Sequence, residues 1–134
     1  MSDKEIEQEI QAKGKTAPRV TPDHIESVVT SEHYFTGYDG RIGALANGED
    51  IPAVELDDAN QLRLLTFCVL VLENGFTVTG ESACASPENF DAEIGRKIAR
   101  DNAVQKIWML EGYLLKQRMH DDAHLRELLR QKEE

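Results

Sequence analysis
The stretch from Leu64 to Ser82, LLTFCVLVLENGFTVTGES, constrains the fold more than any other part of the chain. A nine-residue run rich in apolar and β-favouring side chains is followed by Glu73, then Asn74-Gly75, then a second run with alternating β-branched residues. Asn-Gly between two such runs signals a β-hairpin, because a type I′ turn needs positive φ at both central positions. A two-residue loop sets Glu73 opposite Phe76, Val71 opposite Val78 and Phe67 opposite Ser82. Phe67, Val69, Val71, Phe76 and Val78 then share the expected core face. Cys68, Leu70 and Leu72 lie on the other face with Thr77, Thr79 and Glu81, and that face needs a cover from the N-terminal helix or a second subunit.

A hairpin alone is marginal, so a second layer must close the core. The sequence after it supplies one. Ser86 is a good N-cap, Pro87 suits the first helical position and Glu88 complements the helix dipole. The helix is expected from Pro87 to about Met119. Phe90, Ile94, Ile98, Val104, Trp108 and Leu115 fall in one stripe, widened by Ile107, Leu110 and Leu114. Trp108 is read as core, packed by residues beside Phe90 and by the hairpin. Gly95 and Gly112 inside such a helix each cost about 1 kcal/mol against Ala and point to a close backbone approach or a bend. Residues 120–134, with Leu125, Leu128 and Leu129 on one face, form a helical tail, continuous or separate.

Upstream, Thr21 caps, Pro22 opens and Asp23 favours a helix over about 22–33, with Ile25, Val28 and Val29 on its apolar side. Residues 36–60 hold Gly37, Gly40, Gly43 and Gly48 and read as a loop. Within it, Ile51–Leu56 is a candidate edge strand limited by Pro52, and Leu56–Leu65 an alternative short helix. Residues 1–20 read as a disordered or loosely helical arm. The expected architecture is α+β: a hairpin or small antiparallel sheet packed against a long C-terminal helix, with a short N-terminal helix, in a single domain over 21–119.

Charge narrows the function classes. The 134 residues carry 25 acidic and 15 basic side chains, a net charge of −10. The acid is concentrated in residues 1–60, at net −8, whereas residues 87–118 are net +1. Such a balance argues against bulk binding to nucleic acid or anionic lipid. The longest apolar run is far shorter than a membrane span, and MSDKEIEQEI lacks the apolar core of a signal peptide. A cytoplasmic chain is expected, with Cys68 and Cys84 as free thiols.

No catalytic motif stands out. Lys97 and Asp101, four apart in the apolar stripe, are either an ion pair at its edge or a buried pair at the mouth of a pocket. Arg96 and Arg100 join Lys97 in a basic turn near the start of a helix, where they oppose the dipole. With Ser86, Asn89 and neighbouring Ser82, that turn is a candidate anion site. His120 and His124 are four apart, but the position after the first is Asp121 and no third ligand is evident. His24 and His33 stand isolated. No metal, cofactor or enzymatic activity is expected.

Several motifs together resemble a family of small phage and prophage proteins, the phage gene product 49/66 family. They are Asn74-Gly75-Phe76, the stretch Ser82–Asn89, Gly95-Arg96-Lys97, and Trp108 with Leu110-Glu111-Gly112-Tyr113. The resemblance spans roughly residues 22–119 and departs at Met109, where that family leads one to expect proline. It implies a phage or prophage origin and an intracellular site of action in a bacterial host. It supplies no catalytic residue. The expected function is a non-enzymatic accessory protein that binds a host protein as inhibitor or modulator, its acidic half suiting a basic groove. The alternative is a binder sequestering a small anion such as a nucleotide at Ser86, Asn89, Arg96, Lys97 and Arg100. A homo-oligomer joined through the second hairpin face and Gly95 or Gly112 is compatible with both.

Overall fold
A computed structural model describes residues 2–48 and 61–133. The chain divides into two compact units, Val29–Lys106 and Met1–Val28 with Ile107–Glu134. The proposed strand or helix between residues 51 and 60 lies outside the described residues.

The first unit holds a three-stranded antiparallel sheet in the order β1-β2-β3. Its strands are β1 (Val29–Thr36), β2 (Leu65–Leu72) and β3 (Thr77–Ala83). The hairpin is present, but its register is one residue from the expected one. Leu70 pairs with Val78 and Phe67 with Glu81. The cause lies in the loop. Gly75 takes φ +89°, while among the described residues none other than glycine has positive φ. Asn74 therefore does not make a type I′ turn. Glu73, Asn74 and Gly75 form a three-residue loop, in which the Gly75 N–H donates to the Leu72 carbonyl and the Leu72 N–H to the Phe76 carbonyl, both at 2.8 Å.

A one-residue slip regroups the side chains across the hairpin. Val78 joins Cys68, Leu70 and Leu72 on the buried face, with Thr66. The β2 residues expected in the core lie on the outer face, where Phe67, Val69 and Val71 are half-buried; Phe76, opposite Leu72 at the end of the loop, is 55% exposed. The cover of the inner face comes from the same chain. Helix α4 (Ala92–Glu133) brings Gly95, Ala99 and Ala103 to it. A Cβ on Gly80 would lie 2.1 Å from the Ala99 carbonyl oxygen and 2.4 Å from the Ala103 nitrogen. The helix backbone thus rests on the strand, and small residues occupy the contact line. Ile94 and Ile98, expected in the core stripe, lie off that line and are exposed.

β1 overlaps the end of the expected helix 22–33 and continues beyond it. That helix, α2 (Pro22–Ser27), ends before Val28, and VTSEHYFT continues as a strand with the β-branched and aromatic content strands favour. Its register with β2 shifts between Val29 and Ser31. There the Thr30 hydroxyl donates to the Val71 carbonyl at 3.0 Å. The glycine-rich segment is also not a plain loop. Helix α3 (Gly37–Ala46) starts from a reciprocal cap between Thr36 and Asp39 and ends where Gly48 adopts φ +98°. Gly37 faces the Leu62 carbonyl, Gly40 the Phe35 ring, and Arg63 stacks on Tyr38 at 3.8 Å.

Ser86 does not cap the long helix. Pro87–Asn89 is a single 3-10 turn without a side-chain cap, and the chain is extended at Phe90. The cap is Asp91, whose carboxylate accepts from the Ile94 N–H at 3.0 Å. α4 then runs unbroken through Met109, Gly112 and the tail.

The second unit contains helix α1 (Asp3–Ala12), α2 and α4 from Ile107 onward. α1 begins with a capping box between Ser2 and Glu5. Glu7 pairs with Arg19, which holds its carboxyl below the usual carboxylate range. Trp108 is half-buried rather than central to the core, and its indole N–H donates to Asp3 at 3.2 Å. Ile25, Val28 and Ile107 are fully buried, and so nearly is Glu111. His24 is not isolated: its Nε2 lies 2.9 Å from Glu111 Oε2. Among the described residues no helix is long and apolar enough to cross a membrane.

Candidate functional site
The residues of the expected anion site, Ser86, Asn89, Arg96, Lys97 and Arg100, have the following surroundings. Arg96 lines a cleft, an open space of about 310 Å³ in the sheet unit. Arg100, one turn further on α4, donates from Nε to Glu32 Oε1 at 2.6 Å. Lys97 is exposed and pairs with Glu93 at 3.2 Å. Asp101 is exposed as well, so these two are not a buried pair. The Ser86 carbonyl accepts from the Cys84 thiol at 3.2 Å, and Asn89 is exposed in its 3-10 turn. His33 contacts Ser31, His120 lies beside Asp121, and His124 is exposed on α4. Gly95 is buried against Thr66, which occupies the face proposed for contact between copies.

Several elements converge on the cleft. β1 supplies Tyr34, Phe35 and Thr36; the start of α3 supplies Asp39; Phe90 lies just before α4, and the first turns of α4 supply Ala92 and Arg96, over Thr66 of β2. Asp39 is held by its capping role: its carboxylate accepts from the Thr36 N–H and its own N–H donates to the Thr36 hydroxyl, both at 3.0 Å. The rim is aromatic. Phe35 stacks on Phe67 with ring centroids 5.5 Å apart and stays 38% exposed.

Behind the cleft lies a polar cluster on the inner sheet face. Glu32 accepts from Arg100 and, at 3.4 Å, from the Tyr34 hydroxyl. Burial pushes the Tyr34 phenol up to about 12, with Cys68 and Glu32 adding to the rise and Arg100 opposing it. Burial also raises the Cys68 thiol, and its hydrogen bond with Tyr34 partly offsets this. Both groups are thus held neutral at ordinary pH. The cleft offers one guanidinium, hydroxyls and aromatic edges. Tyr34, Thr36, Asp39 and Thr66 were not among the candidates from sequence. The one local signal for them is the spacing of Thr36 and Asp39, which fits a helix cap.

Residues 20–119 match the family described as Phage protein (N4 Gp49/phage Sf6 gene 66). The chain belongs to this family. The matched span contains the whole cleft, the sheet and the first two-thirds of α4, and leaves α1 and the tail beyond Met119 outside. No curated protein and no solved structure matches the chain. Membership makes this a phage protein, consistent with an accessory role.

Proposed function
We propose that the protein is a non-enzymatic phage accessory protein that acts in the cytoplasm of the bacterial host by binding a host protein, as inhibitor or modulator. The observation that carries this reading is the partly exposed Phe35–Phe67 stack at the rim of the cleft that holds Arg96. Aromatic and arginine side chains around a concavity are the composition of interface hot spots. The net charge of −10 further favours a partner with a basic surface. The test is affinity capture from host lysate at low and moderate salt. Wild type is expected to retain a specific protein that the Phe35→Ala/Arg96→Ala variant loses while keeping native circular dichroism. Retention of nothing specific, or of the same protein by both, counts against the reading.

A second reading is a binder of a small anionic ligand, such as a nucleotide. It is favoured by Arg96 lying in one cleft with the hydroxyl residues Tyr34, Thr36 and Thr66. Ligand at about 100-fold over Kd stabilises a fold by about 2.7 kcal/mol. A thermal-shift screen of mono- and cyclic nucleotides should then show an increase abolished by Arg96→Ala. A flat screen removes this reading.

A further inference from the structure
The heptad stripe of α4 does not stop where the folded units stop covering it. Val104, Ile107 and Glu111 follow one another at intervals of three and four residues and are all buried. The same spacing continues as Leu114, Arg118, Asp121, Leu125 and Leu128, and every one of these is exposed. Leu125 is 55% and Leu128 45% exposed. A helix seam of this length left open to water calls for a partner helix.

The two charged positions identify the partner. In a parallel, in-register pair of copies, Arg118 would face Arg118 and Asp121 would face Asp121 in the middle of the seam, which repels twice. In an antiparallel pair, a-type positions meet d-type positions. Setting Arg118 against Asp121 then automatically sets Leu114 against Leu125, and Glu111 near Leu128. The twofold axis makes each of these contacts twice. The sequence is therefore self-complementary in one orientation only. Among the described residues, Asp121 is met by Gln117 Nε2, at 3.0 Å, and by neighbouring His120.

We propose that two copies of this chain associate through residues 114–128 of α4 as an antiparallel coiled coil, with Arg118–Asp121 pairs at its centre. This surface shares no residue with the cleft, and its part beyond Met119 lies outside the family-matched span.

Charge reversal tests it on the full chain. Sedimentation equilibrium at low ionic strength is expected to show a monomer–dimer equilibrium. Arg118→Asp alone and Asp121→Arg alone should each weaken association by about tenfold or more, because each places like charges opposite one another. The Arg118→Asp/Asp121→Arg double variant should restore it. Spin labels at Gln131→Cys, in a Cys84→Ser background, should lie roughly 35 Å apart in the antiparallel pair and about 10 Å apart in a parallel one, from the helical rise and the interaxial spacing. A monomer at all concentrations, a dimer indifferent to the single reversals, a double variant that fails to recover, or the short label distance overturns the proposal.

Discussion
Gly80 of β3 lies directly under the backbone of Ala99 on α4, with room for no side chain: a Cβ there would sit 2.1 Å from the Ala99 oxygen. The obstacle is backbone, so no rotamer change relieves it. Gly80→Ala must lift the helix off the inner sheet face and loosen the packing over Cys68, Leu70 and Val78. The expected cost is about 3 kcal/mol or more, at the upper end for overpacking a core. Gly112 provides the control. Among the described residues, and apart from the backbone of its own helix, nothing lies within 4 Å of a Cβ at that position, which is exposed in mid-helix. Gly112→Ala should therefore stabilise by about 0.5–1 kcal/mol. Urea denaturation of both variants checks the pair, and a Gly80→Ala protein as stable as wild type would contradict the described contact.

The register of the hairpin rests on Gly75. With φ at +89°, this residue closes the three-residue loop in a conformation that costs other L-residues about 1–2 kcal/mol. Gly75→Ala should destabilise by about that amount and Gly75→Asn by less, since Asn tolerates the left-handed region. Equal effects of the two substitutions would indicate a different loop.

These two glycines also show where the sequence could and could not be read. Asn74-Gly75 correctly announced a hairpin, because turn chemistry is local. It did not choose between a two- and a three-residue loop, since the same dipeptide serves both and the difference is the φ of Asn74. That single ambiguity reversed the faces of β2. What decides the matter is Gly80 against Ala99 and Ala103, a contact between residues about twenty positions apart that no local pattern announces. The stripe in α4 was misplaced for the same reason: hydrophobicity marked Ile94 and Ile98, whereas close approach selected Gly95, Ala99 and Ala103. In the cleft Arg96 is a residue that sequence also singles out, but its neighbours Tyr34 and Thr36 belong to a strand whose first residues read as helical, and Arg100 pairs with Glu32, distant in sequence.

Tyr34 and Cys68 make a prediction about alkaline pH. The Tyr34 phenol titrates at about 12 in the fold against an ordinary 10.0. A group whose pKa is raised by folding contributes stability fully below its unfolded pKa and loses that contribution as pH climbs through the folded value. Stability should therefore fall between pH 10 and about 12, and Tyr34→Phe should flatten that decline. In spectrophotometric titration the most alkaline part of the phenolate absorbance should vanish in this variant. Cys68, fully buried with its thiol pKa raised, should also resist thiol reagents in the native protein. One of the two cysteines, Cys84, should label without denaturant; rapid labelling of both would show that the inner sheet face is open.

Glu111 is a carboxyl at the inner edge of the α4 seam, 8% exposed, with His24 Nε2 2.9 Å from its Oε2. α2 is short, and the features that hold it include the Thr21 cap on the His24 N–H, the burial of Ile25, and this contact. Removing the imidazole leaves a carboxylate nearly buried without its partner, which costs more than the hydrogen bond itself contributes. His24→Ala should therefore destabilise by about 1–3 kcal/mol. Glu111→Gln, which keeps a polar group able to meet the ring, should cost clearly less. The double variant His24→Ala/Glu111→Leu removes both partners and fills the site with an apolar side chain, and it should recover part of the loss. Denaturation midpoints of these three variants and of Glu111→Leu alone decide between an energetically coupled pair and two independent surface groups. Additive effects of the two positions would show that the pair does not hold α2 in place.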